Sequence, residues 1–156
     1  MPPNLLWHYT FSGRDHLDEI LGTRILKVTQ RIEGVDRPLL MFSSNQRYEK
    51  TAGFGFEHAG ALFDLSLANT PYNFANRDQI TLARVGVEPS NTLIAWRDFC
   101  RTGEIPKESA RALEKVARKV GANPSDWFVR FEEVPSPEWK AVDAWNGAEW
   151  SGCPGL

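Results

Sequence analysis

Cysteine is scarce in this chain: Cys100 and Cys153 stand far apart, and neither belongs to a CxxC pair. That count and spacing argue against both a disulfide scaffold and a cysteine-held zinc site. Long apolar runs are missing too. No segment approaches the roughly 18 uninterrupted apolar residues that a membrane span requires. The opening MPPNLLWHYT also lacks the basic region and long apolar core of a secretory signal. The expectation is a reduced, cytoplasmic domain with no membrane partner. Nor does one sign of charge prevail, since 18 basic and 20 acidic residues leave a formal net charge of −2. Such a balance supplies no bulk attraction to nucleic acid or anionic lipid.

Several catalytic signatures are absent as well. There is no GxxxxGK[ST] phosphate loop and no GxSxG nucleophile elbow. GFGFEHAG carries Gly53 and Gly55 but lacks the third glycine of a dinucleotide loop. His8, His16 and His58 show no HExxH spacing, so no metal is expected. These gaps remove most hydrolase, kinase and metalloenzyme readings.

What is present is a globular composition with six tryptophans, four of them after Ser125, enough aromatic volume to fill the core of a single domain over 1–156. LLWHYTF alternates Leu5, Trp7, Tyr9 and Phe11 against Leu6, His8 and Thr10, a strand with one apolar and one mixed face. Ser12 with Asp15 reads as a helix cap, Leu17, Ile20 and Leu21 as the buried stripe, and Gly22 as the stop. TRILKVTQ is expected as a short strand and LLMFSSN as a central one. The span Gln46–Asn76 holds glycine, asparagine and aromatics without a period and reads as a functional loop. In QITLARVGVEP, Thr81, Ala83, Val85 and Val87 oppose Ile80, Leu82 and Arg84 on a strand.

Further on, SNTLIAWRDFCRTGEIP suggests a short helix near Trp96. KESARALEKVARKVGANP gives a strong helix whose predicted stripe is Ala110, Leu113, Val116, Ala117 and Val120. DWFVRFEEVP is a strand that puts Trp127, Val129 and Phe131 on the core face, and Phe128, Arg130 and Glu132 on the other. EWKAVDAWNGAEW reads as a hairpin turning at Asn146-Gly147. Strands outnumber helices without alternating with them, so the fold class is α+β.

Polar residues on otherwise apolar strands mark the candidate site: His8, Ser43, Ser44, Arg84, and Glu132 beside Arg130. For each, a structural role competes with a functional one. A surface ion pair on the last of these strands contributes only ~0–1 kcal/mol.

LWHYTFSGRDHLDEILGTRIL resembles the first strand and helix of ADP-ribosyltransferase-like proteins, in which a hydrophobic-H-x-T strand runs into L..IL..G.I. LWHYT, MFSSN and WFVRFEEVPSPEW together are also similar to a group of small uncharacterised bacterial and phage proteins. The first resemblance implies a split, mostly antiparallel sheet that holds NAD as substrate between its halves. His8 and Thr10 then fill the H-x-T positions, with His8 on the ribose. Ser43 and Ser44 support the nicotinamide side with Phe42 nearby, Tyr48 or Tyr72 supplies a stacking ring, and Glu132 is the catalytic acid. Arg84 or Arg130 suits the diphosphate, because guanidinium offers paired donors to phosphate.

Breaking the nicotinamide–ribose bond develops oxocarbenium character, which a fixed carboxylate stabilises. The implied activity is NAD-dependent ADP-ribosyl transfer or NAD hydrolysis. The acceptor, protein or nucleic acid, stays open because FSSN replaces S-T-S and FEE replaces E-x-E. Two alternatives remain. One is a non-catalytic nucleotide- or protein-binding module, such as an accessory or inhibitor protein, using Trp139, Trp145 and Trp150 as contacts. The other is a nucleic-acid enzyme with His8 and Glu132 as its acid–base pair.

Overall fold

The computed structural model describes residues 4–51, 57–58, 61–62, 80–145 and 149–152. Among these it is a mixed α+β domain built on one seven-stranded antiparallel sheet. The chain runs β1 (Leu6–Gly13), α1 (Arg14–Thr23), β2 (Ile25–Leu26) and β3 (Leu40–Ser43). It continues with β4 (Glu57–His58), β5 (Ala61–Leu62), β6 (Ile80–Val87) and β7 (Ile94–Ala95). Then follow α2 (Trp96–Arg101), α3 (Lys107–Lys119), β8 (Trp127–Arg130), β9 (Val134–Pro135), β10 (Trp139–Trp145) and β11 (Trp150–Gly152). Spatial order in the large sheet is β11-β10-β6-β1-β3-β8-β7, while β2 pairs with β9 and β4 with β5.

The β1–β6 ladder runs the full length of β1, from Leu6 opposite Val87 to Gly13 opposite Ile80. On its other side β1 meets β3 through one ladder pair only, Trp7 opposite Ser43. Past that pair, the peptide of Met41 turns its polar groups to side chains. His8 Nδ1 donates to the Met41 carbonyl at 2.8 Å, and the Met41 N–H donates to Gln30 Oε1. A carbonyl only accepts, so Nδ1 carries the proton. These two bonds satisfy the Met41 backbone groups where the short β1–β3 pairing of the continuous sheet does not.

Alternation then assigns the faces. Leu6, His8 and Thr10 share a side with Leu40, Phe42, Val85 and Val142. A core closes over that side with Ile20 of α1, Leu26 and Val134. The mixed face of the first strand is therefore buried, and His8 packs 5.5 Å from the Phe42 ring. Trp7, Tyr9, Met41, Ser43, Arg84 and Trp127 take the opposite side. There a second core joins Trp96 and Phe99 of α2, Ala110 and Ala117 of α3, Trp127 and Val129. Gly86 is required at its position: a Cβ there would come within 2.7 Å of the Trp7 ring, which lies across it.

Some expected boundaries move. α1 passes through Gly22 and ends at Thr23, and Arg24 just after it takes the left-handed conformation (φ 62°) expected of glycine. On α3, Ala110 and Ala117 are buried and Leu113 half-buried, but Val116 (45%) and Val120 (41%) are exposed. The contact line follows positions 110, 113 and 117, and Glu114 joins it by accepting a hydrogen bond from Trp96 Nε1. The C-terminal hairpin forms as β10 and β11, with Trp145 opposite Trp150. Its turn at Asn146-Gly147 lies outside the described residues, as do the side chains of Ser12, Asp15 and Leu17, and Cys153. No helix among the described residues is long and apolar enough to cross a membrane.

Candidate functional site

Ser43 ends β3 with its side chain buried on the α2–α3 side of the sheet. Its hydroxyl donates to Glu49 Oε1 at 2.9 Å and accepts from the Asn45 N–H at 3.1 Å. The segment between folds tightly because Asn45 Oδ1 accepts from the N–H groups of Arg47 and Tyr48, an Asx-type turn. Glu49 emerges from that turn only 6% exposed. Its second oxygen accepts from the Thr51 N–H at 3.1 Å and from the Thr51 hydroxyl. Three donor atoms from two residues, Ser43 and Thr51, thus fix one buried carboxylate.

A second acid stands beside it. Asp126 closes a 3-10 turn over Pro124–Asp126, directly before β8, and its carbonyl accepts from the Ser44 N–H at 2.8 Å. Burial and the charge of Glu49 raise its carboxyl above the ordinary aspartate value, while a hydrogen bond from Ser44 partly offsets them.

Glu49, but not Asp126, lines a cavity of about 430 Å³, together with Trp7, Tyr9, Met41, Ser43, Thr51 and Trp127, and with Gln30, Arg31 and Leu113 among the other wall residues. That volume is of small-molecule size. Tyr9 meets Tyr48 edge-on at 5.8 Å. Burial raises the Tyr9 phenol, opposed by the adjoining Arg84 guanidinium and the Glu49 backbone, although its oxygen makes no hydrogen bond of full geometry among the described residues. Trp127 adds a buried indole N–H with no partner among them.

The structure distributes the sequence-predicted residues unevenly. Ser43 and Ser44 belong to this constellation. His8 and Thr10 lie on the opposite face, where His8 borders a separate cavity of about 120 Å³ beside Ile20, Thr23 and Leu26. Arg84 faces the carboxylate side, but its guanidinium is occupied by Asp143 (3.1 Å) and the Gln46 carbonyl (2.8 Å). Tyr72 lies outside the described residues, as does most of the Gln46–Asn76 span.

Glu132 requires a correction. β8 ends at Arg130, so Glu132 is exposed beyond the strand rather than held on its face, and it lines neither cavity. Arg130 bonds its backbone carbonyl instead. The buried guanidinium makes its ion pair with Glu138, at 2.9 and 3.0 Å, and also binds the Glu133 carbonyl. The tryptophans are corrected too. Trp139 is core and donates to the Val134 carbonyl, and Trp150 covers Arg84, so the three do not form one open contact face.

Glu49 and Asp126 are the acids that sequence reasoning missed. Asn45 as a turn former announced the bend that delivers Glu49, but no local pattern tells that a carboxylate after it turns inward. Asp126 is brought near by the register of β3 against β8, Ser43 opposite Trp127, which is a long-range fact. Among the described residues no group of three or more His, Cys, Asp or Glu is placed to hold a metal ion. No family model matches this chain, and neither a curated protein nor a solved structure matches it significantly.

Proposed function

We propose that the chain binds NAD in the 430 Å³ cavity and cleaves its nicotinamide–ribose bond, passing ADP-ribose to an acceptor or to water. An ADP-ribosyltransferase-like fold is part of the same reading, supported by the mostly antiparallel sheet and its short β1–β3 pairing. The observation that carries the proposal is the buried Glu49 carboxylate, fixed by Ser43 and Thr51 at the wall of an aromatic-lined cavity.

The chemistry follows from that arrangement. The nicotinamide ring of NAD is a cation, which aromatic faces and a carboxylate both favour. As the glycosidic bond breaks, its electron pair leaves with neutral nicotinamide and positive charge spreads over the ribose. A carboxylate already held in place stabilises that charge without reorganising. The acceptor's lone pair then forms the new bond at the sugar carbon, and its proton passes to the Glu49 carboxylate, the acid that lines the cavity. Arg31, at the cavity wall, supplies a cation for the diphosphate.

Nicotinamide release from NAD, followed by chromatography, tests this. Glu49→Gln is expected to reduce it about a hundredfold, the scale of losing a principal electrostatic stabiliser. NAD binding that raises the melting temperature without any nicotinamide release would replace the enzyme with a nucleotide-binding module. Neither binding nor release would sink the proposal.

A further inference from the structure

The segment that delivers Glu49 is gripped from outside the cavity, and we infer that Arg84 and Trp150 form a clamp that positions this carboxylate. The inference rests on the reading of Glu49 just given. Arg84 is only 6% exposed and stacks between the rings of Trp7, at 3.8 Å, and Trp150, at 4.2 Å. Its Nε donates to Asp143 of β10, and its Nη1 to the Gln46 carbonyl. Trp150 Nε1 donates to the very next carbonyl, that of Arg47, at 2.8 Å. Two consecutive peptides of the turn are thus held by the middle of the sheet and by its edge strand.

The Gln46 side chain tightens the same turn. Its amide donates to the carbonyls of Leu5 and Ser44, and its oxygen accepts from Trp7 Nε1. Glu49 enters the cavity two residues after Arg47. Ser43 and Thr51 fix its carboxylate, while the clamp fixes the backbone from which it projects. Neither Arg84 nor Trp150 lines the cavity, so both are positioning residues. The C-terminal hairpin acquires a role beyond completing the sheet: β11 sits three places from β1 yet reaches back over β6 to the turn. Asp143, the Gln46 carbonyl and two indole rings already engage the Arg84 guanidinium.

Amide hydrogen exchange of the ligand-free protein and steady-state nicotinamide release, measured on Trp150→Phe and Arg84→Lys, test the clamp. Trp150→Phe keeps a ring over Arg84 and removes only the N–H donor. Exchange at residues 47–51 should quicken about tenfold, with the β1 and β6 ladders unchanged. In turnover, kcat should fall about tenfold while KM for NAD stays within about twofold, because a misplaced group costs the transition state more than binding. Arg84→Lys keeps the cation beside Asp143, loses one of its two bonds, and should shift both readouts the same way. Unchanged exchange at 47–51 in Trp150→Phe overturns the clamp. So does faster exchange across the whole sheet with a matching fall in melting temperature, which marks plain destabilisation. Local loosening in a protein whose wild type releases no nicotinamide upholds the clamp and removes the catalytic reading instead.

Discussion

Asp126 meets burial and the Glu49 charge together, and both disfavour its ionised form, with the Ser44 hydroxyl as partial relief. A carboxyl whose folded pKa lies above its unfolded value binds a proton more tightly in the native state. Stability is then lost as pH rises from the ordinary aspartate range through the folded pKa. Asp126→Asn removes the charge and keeps an oxygen for Ser44. It should therefore raise the melting temperature at about pH 7, by about 2–4 °C for each kcal/mol relieved in a domain of this size. The gain should vanish near about pH 3, where aspartate is protonated in both states. Parallel thermal melts check the sign.

Among the elements, those with local periods were legible from sequence, and those defined by a partner were not. β6 forms where its alternation placed it, and α3 follows its 3.6-residue period, because side-chain direction there depends on the element alone. Which edge of the α3 stripe touches the sheet depends on docking, so Val116 and Val120 were misjudged. The same distinction decides the site. Ser43 was visible as a polar end to an apolar strand. Glu132 was misplaced because β8 stops at Arg130, drawn into a buried network with Glu138 and two carbonyls. The short β1–β3 pairing is the element-scale feature least visible in sequence, since it depends on His8 and Gln30 meeting the backbone of one residue, Met41. Gln30→Met preserves length but removes the acceptor for the Met41 N–H. A stranded buried donor costs about 1–3 kcal/mol. Denaturant melts should show that loss, with faster exchange at the Met41 amide and little change in the β1–β6 ladder.

For the whole molecule, the decisive fact is that one sheet separates two buried sides, with the Glu49 cavity on one and His8 on the other. A ligand that binds only the native state adds RT ln(1 + [L]/Kd) to stability, which is about 2.7 kcal/mol at a hundred times Kd. At about 2–4 °C per kcal/mol, that is a rise of roughly 5–11 °C. A substitution on the far face lowers the melting temperature of free and bound protein together and leaves this increment intact. His8→Asn, which retains a donor for the Met41 carbonyl, should therefore melt lower than wild type yet keep the full NAD-induced rise. Arg31→Ala, at the wall of the larger cavity, should melt like wild type without ligand and lose part of the rise. Fluorimetric melts over a range of NAD concentrations separate these outcomes. If His8→Asn abolishes the rise while Arg31→Ala keeps it, NAD binds on the His8 side of the sheet, and the assignment of the ligand to the Glu49 cavity is wrong.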